Sequence, residues 1–217
     1  MQENFEDMND TIFTPLTSFD SSGQVICEGD SLTVGIGAPE NLSYPMQMES
    51  LLHITRPKFK IVNVGMSGTT TMDMLERASS NVDSLFNPAL ATNIAIFNGG
   101  INDVRLLDDD PVTIVGRIQK WCLDRRAIGF KVVVMTLTPS SFSEEILDVN
   151  AMRKAVNLLI RENHTSYADA IADVGEDAIV GQDGEEANGI YYPDRLHMTA
   201  AGYAIKARYA YDAVMRL

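Results

Sequence analysis

Along the chain, short apolar runs alternate with longer stretches in which apolar residues return every three or four positions. Gln24 to Glu28, Lys60 to Val64, Asn93 to Phe97 and Lys131 to Leu137 are rich in β-branched residues and bounded by Gly, Asn or Pro, which predicts strands. A weaker strand signal covers Ala170 to Val174. The runs are apolar on successive residues rather than alternate ones, as expected of parallel strands buried on both faces.

Between them lie helical patterns. Tyr44 to Ile54 places Met48, Leu51 and Leu52 on one face, and Thr71 to Ala78 follows a Gly-Thr-Thr start. The clearest helix opens with Asp110 as N-cap and Pro111 at N1, carries Ile114, Val115, Ile118, Trp121 and Cys122 at helical spacing, and ends before Gly129. A fourth takes its stripe from Val149, Met152, Val156, Leu159 and Ile160. The last begins near Thr199, a suitable cap, and is studded with small residues (Ala200, Ala201, Ala204, Ala207, Ala210, Ala213) that permit close packing on a sheet.

Strands and helices alternating at these lengths imply right-handed βαβ crossovers, and so a three-layer α/β/α sandwich around a central parallel sheet. One domain is expected over residues 24–217, preceded by a tail or linker at 1–23 that is rich in Asn, Asp, Thr, Pro, Ser and Gly. In such sheets the ligand crevice lies beyond the carboxyl ends of the strands, so chemistry is sought in the residues just after each strand.

Net charge narrows the partners. At −13, with a pI near 4.5 and no basic cluster, the chain repels phosphate backbones and anionic membrane surfaces, so nucleic acid is not expected as a partner. No apolar run reaches the ~20 residues of a membrane span. The acidic N-terminus lacks the basic and apolar regions of a secretory signal, which makes the cytoplasm the default compartment unless the sequence belongs to a longer or processed chain. Cys27 and Cys122 fall in a strand and on an apolar helix face, where free buried thiols are expected.

Four segments meet the strand-end rule or enter the last helix. Glu28-Gly29-Asp30-Ser31-Leu32-Thr33 sets a serine hydroxyl on a turn after the first strand. Asn63 to Thr70 supplies glycines and a helix N-terminus, whose amides can face an anion. Asn98-Gly99-Gly100-Ile101-Asn102-Asp103 offers a side-chain amide donor at Asn102. Tyr192-Pro193-Asp194-Arg195-Leu196-His197 supplies an imidazole with a carboxylate three residues before it. A serine needs such a base to become a nucleophile, and a carboxylate to fix the base's tautomer. Of the other histidines, His53 sits among helix residues and His164 at a helix end, and neither has a partner pattern.

With these blocks in this order, the sequence resembles the GDSL/SGNH hydrolase family over residues 25 to about 205. The resemblance implies a serine esterase with Ser31, Asp194 and His197 as catalytic triad. It also implies the Ser31 amide, the Gly68 amide and the Asn102 side chain as oxyanion donors, with Gly68 chosen over Gly65 by alignment of the Ser-Gly pair. Asp30 and Asp103 are expected to hold their loops by hydrogen bonds. The implied substrates are short acyl esters, first among them O-acetyl groups on carbohydrate, which Tyr191 and Tyr192 would stack on unless they belong to the core. The alternatives are a lysophospholipase or thioesterase for longer acyl chains, and a noncatalytic glycan-binding module.

Other motifs fail on inspection. Gly65-Met66-Ser67-Gly68-Thr69 carries Thr69 where a nucleophile elbow needs its second glycine, leaving Ser67 as a turn residue. Gly35-Ile36-Gly37 meets Glu40 where a dinucleotide fingerprint needs glycine. The acidic runs Asp108-Asp109-Asp110 and Asp173 to Glu186 lack calcium-loop spacing. No cofactor and no catalytic metal are expected.

Overall fold

The computed structural model describes residues 22–107, 109–141 and 149–217. Most of the tail (1–21) and Asp108 of the first acidic run therefore lie outside the described residues. Five strands, β1 (Gly23–Gly29), β2 (Phe59–Asn63), β3 (Thr92–Asn98), β4 (Lys131–Met135) and β5 (Ala170–Ala172), form one sheet in the order β2-β1-β3-β4-β5. Every neighbouring pair is parallel.

Side-chain alternation along the central strands sorts the core into two layers. Ile26, Ala95, Phe97, Val132 and Val134 face one side, where they meet α3 (Thr71–Asn81), α4 (Pro111–Ile128) and α5 (Val149–Asn163). Val25, Cys27, Ile94, Ile96, Val133 and Met135 face the other, against α2 (Tyr44–Thr55) and α6 (Ala200–Met215). This is the three-layer sandwich that the pattern predicts. The cysteines lie in opposite layers with the sheet between them, and both are free. Burial pushes the Cys27 thiol up to about 12 and Cys122 higher still, so neither is a thiolate nucleophile.

Strand order reverses between β1 and β3, leaving a crevice at their carboxyl ends. The ends of β1 and β3 and the first turns of the helices behind them therefore converge there.

Element boundaries depart from the pattern where side chains replace the ladder. β4 stops at Met135 instead of Leu137 because Asn157 of α5 takes over, its carboxamide accepting from Leu137 N (2.8 Å) and donating to Leu137 O (2.8 Å). α3 runs three residues past Ala78, opened by a Thr70–Asp73 capping box. The α4 stripe is buried as predicted, with Trp121 fully enclosed and its ring 4.9 Å from that of Phe97. On α6 the pattern misses one feature: beside Ala207, Ala210 and Ala213, Lys206 is also fully buried.

Trp121→Ala is expected to cost about 3–5 kcal/mol, the range for emptying an aromatic core site, as measured by urea unfolding. A loss below about 1 kcal/mol would mean that α4 does not pack on the sheet through this ring.

Candidate active site

Ser31 owes its position to the turn that leaves β1. Asp30 caps the short helix α1 (Ser31–Val34), its carboxylate accepting from Leu32 N at 2.9 Å. A Cβ at Gly29 would run into Thr33 Oγ1 and Asn98 O, so only glycine lets α1 approach β3 this closely. Asn98 then donates to Thr33 Oγ1 (2.8 Å) and Asn63 to Thr33 O (2.8 Å), tying the serine turn to the ends of β3 and β2. Behind it, the buried Glu28 carboxylate pairs with Arg77 of α3, which also donates to Gly29 O at 3.0 Å. Burial pushes the Glu28 carboxyl up, and the guanidinium opposes that shift.

The loop before α6 brings the imidazole. Asp194 Oδ1 accepts from the backbone N–H of Leu196 (3.1 Å) and His197 (2.8 Å), while Arg195 takes a left-handed φ of 68° to close the turn. His197 Nδ1 then lies 2.7 Å from Asp194 Oδ2, and Nε2 lies 2.9 Å from Ser31 Oγ. Burial raises the Asp194 carboxyl, but the bonds from His197 and the two backbone amides outweigh it and hold it below the usual carboxylate range.

Asn102 stands on the far wall. It donates to Thr69 O at 3.0 Å and accepts from Arg105 Nη1 at 3.4 Å, which orients its carboxamide. Asp103 accepts from Thr71 N (2.9 Å) and Thr71 Oγ1 (2.5 Å) and pairs with Arg117 (3.2 Å), joining this loop to the start of α3. Both aspartates expected to hold loops therefore do so. Gly68 adopts φ 78° and a Cβ there would meet nothing within 4 Å, so backbone conformation rather than crowding calls for glycine.

Ser31, Gly68, Asn102 and His197 line one open cleft of about 380 Å³, together with Ile36, Ser67, Arg105, Leu106 and Leu196. Gly65 is not on its wall; a Cβ there would clash with Thr33 and the backbone of Val34, so it serves the packing of α1. Tyr192 is core, its hydroxyl donating to Val180 O at 2.5 Å, and Tyr191 packs against the same layer, so neither lines the cleft. His53 is exposed on α2, and His164 faces Arg161 O (3.0 Å) at the end of α5.

The profile of the GDSL-like lipase/acylhydrolase family matches residues 27–205, a span that runs from β1 into α6 and holds every residue of this cleft. The chain belongs to this family. Solved structures repeat its fold at low identity. A member of the lipolytic protein G-D-S-L family from Veillonella parvula is 16% identical, with 90% of this chain and 100% of that one covered and a TM-score of 0.68. A GDSL-like lipase from Bacteroides thetaiotaomicron is 20% identical over 91% and 89%, TM-score 0.69. A variant of Axe2, an acetyl-xylooligosaccharide esterase from Geobacillus stearmophilus, is 18% identical over 89% and 94%, TM-score 0.66. A search of curated proteins gives no match.

The sequence of this GDSL-family chain hides two buried cations, of which Arg105 lines the cleft. Arg105 follows Asn102 on a π-helical turn (Asp103–Leu107) that has no periodic signature, and Lys206 sits in what reads as an alanine stripe. The acidic runs, by contrast, are structural. Asp110 caps α4, Asp109 pairs with Arg117, and Asp173 and Asp183 pair with Arg161 and Arg153.

Asp103→Ala leaves the buried Thr71 donors without their acceptor, while Arg117 keeps Asp109, and is expected to destabilise the fold by about 1–3 kcal/mol in urea denaturation. A change within about 0.5 kcal/mol would show that Asp103 does not join α3 to this wall.

Proposed function

We propose that the protein is a serine ester hydrolase for short acyl esters, with O-acetylated carbohydrate as the first substrate class. The observation that carries this reading is the hydrogen-bonded chain from Ser31 Oγ through His197 to Asp194, at 2.9 and 2.7 Å, opening on the cleft. In it Ser31 attacks the ester carbonyl as His197 Nε2 takes the hydroxyl proton, and the tetrahedral oxyanion rests on the amides of Ser31 and Gly68 and on Asn102 Nδ2. His197 returns the proton to the departing alcohol, leaving an acyl-Ser31 ester. Water, deprotonated by the same nitrogen, attacks that ester; the acyl–Oγ bond breaks as His197 gives the proton to Ser31 Oγ, and the carboxylic acid leaves. Asp194, held ionised, keeps His197 in the tautomer that accepts at Nε2 and stabilises its cation. The fold likeness to an acetyl-xylooligosaccharide esterase supports the carbohydrate assignment.

A second reading draws on the lining of the cleft. Ile36 and Leu106 are exposed apolar residues on its wall, and with Leu196 they favour a longer acyl chain, as a lysophospholipase or thioesterase would take.

Hydrolysis of p-nitrophenyl acetate, butyrate and octanoate is the test. Ser31→Ala, shown to be folded, should abolish turnover of all three, and the short-acyl reading requires kcat/KM to fall from acetate to octanoate; a rise supports the longer-chain reading. Equal rates in wild type and Ser31→Ala would sink both. Asn102→Ala should lower kcat by about 10²- to 10³-fold, the size of one lost oxyanion donor, with KM little changed. A drop confined to KM would remove Asn102 from the oxyanion site.

A further inference from the structure

One side of α3 is polar where the neighbouring cleft is apolar. Met74 and Ala78 point into the core, and Asp73, Glu76, Arg77 and Asn81, at i, i+3, i+4 and i+8, share another side of the helix. These four, with Met66, Ser67 and Gly68, line an open trough of about 510 Å³, a size usual for a small-molecule site. The fold does not engage all of its polar atoms. Thr70 N and Oγ1 both donate to Asp73 Oδ2 (2.8 and 2.7 Å), and Arg77 is held by Glu28 and Gly29 O. Among the described residues, however, the exposed Glu76 carboxylate has no hydrogen-bond or ion-pair partner. Asn81 uses only its Oδ1, which accepts from Ser80 Oγ at 3.2 Å, and its Nδ2 donates to no described residue. Ser67 and Gly68 line this trough and also the cleft that holds Ser31 and His197. Both are exposed, and a Cβ on Gly68 would meet nothing within 4 Å, so a bound molecule has room to cross between the two at this point.

We propose that the trough is the alcohol-side subsite: it holds the polyhydroxylated, uncharged part of the ester, with Glu76 accepting from its hydroxyls and Asn81 Nδ2 donating to them, while the acyl group lies on Ile36, Leu106 and Leu196. The inference rests on the esterase reading above and extends it to the leaving group. An ester carbonyl seated on the Ser31 and Gly68 amides and on Asn102 has two arms. The apolar wall of the cleft takes the arm without hydroxyls. The other leaves over Gly68, its ester oxygen staying in the cleft where His197 protonates it. Hydroxyl groups both donate and accept, and a carboxylate beside a carboxamide answers both needs. Exposed Met66 adds an apolar patch for the C–H face of a sugar ring. Charge narrows the class further. Asp73 and Glu76 are two carboxylates beside one arginine that is already paired with Glu28, and this excess of negative charge admits a neutral sugar and repels a phosphorylated or carboxylated leaving group.

The test is kcat and KM for acetate release from O-acetylated xylooligosaccharides, which are neutral, from O-acetylated oligogalacturonides, which are anionic, and from p-nitrophenyl acetate, which has no hydroxyl for the trough. Wild type should favour the neutral over the anionic sugar ester by about tenfold or more. Glu76→Ala and Asn81→Ala should each lower kcat/KM for the xylooligosaccharides, relative to that for p-nitrophenyl acetate, by about three- to tenfold, the size of one lost hydrogen bond, with the loss in KM. Glu76→Lys should raise kcat/KM for the oligogalacturonides relative to the xylooligosaccharides by about tenfold. Circular dichroism checks that each variant is folded. Ratios that no variant moves, equal losses on all three substrates, or a wild type that prefers the anionic sugar ester would overturn the subsite and leave the esterase standing. A wild type that turns over p-nitrophenyl acetate and neither sugar ester overturns the subsite as well. Hydrolysis of none of the three overturns the esterase reading itself, and the subsite falls with it.

Discussion

One contact organises this molecule: the 2.9 Å approach of His197 Nε2 to Ser31 Oγ, between residues 166 positions apart. Local chain preference cannot hold two such distant atoms at hydrogen-bonding distance. The doubly wound sheet does so by setting β1 inside the sheet, next to β3 at the switch point, and laying α6 on one of its faces. β1 delivers Ser31 to the switch point, and α6, packed through Ala207, Ala210 and Ala213, returns the preceding loop to that edge. Gly37 completes the meeting. Its φ of 94° and missing Cβ let the loop after α1 lie against Met198 O and His197. Rotation of either piece by a fraction of an ångström would break a bond whose direction matters as much as its length.

Around that contact the protein buries charge rather than avoiding it. Glu28 with Arg77 and Asp103 with Arg117 lie within or beside the loops that surround Ser31. Ion pairs of this kind add little net stability, because desolvation cancels much of their attraction. Their directional demands instead fix the relative placement of β1, α3, α4 and the loop after β3, which is what a site assembled from separate loops requires. A chain of net charge −13 thus keeps a group of cations facing the carboxylates near its cleft.

The layers were legible because they depend on period. β-branched runs mark the strands, and the Asp110, Pro111 and Gly129 punctuation marks α4 almost to the residue. The residues Ser31, Asp194 and His197 were legible because short segments carry them. Asp194 and His197 sit three residues apart on one turn, and Ser31 sits in a four-residue block whose glycine has a steric reason. What period and motif could not reveal were contacts between distant elements. Asn157 ending β4, Asn63 and Asn98 bracing Thr33, and Arg105 orienting Asn102 are single polar side chains whose partners lie on other elements or in an irregular turn. Lys206 was hidden for a further reason: at helical spacing a lysine reads as a solvated position, and only the assembled core shows it enclosed.

The central claim is that Ser31 is the nucleophile and that His197 makes it one. The most direct measurement is to treat the protein with diethyl p-nitrophenyl phosphate and locate the adduct by peptide mass spectrometry, in wild type and in His197→Ala. The account requires a single stoichiometric adduct on Ser31 that disappears with His197. An adduct on Ser67, or labelling of Ser31 that is indifferent to His197, would contradict it.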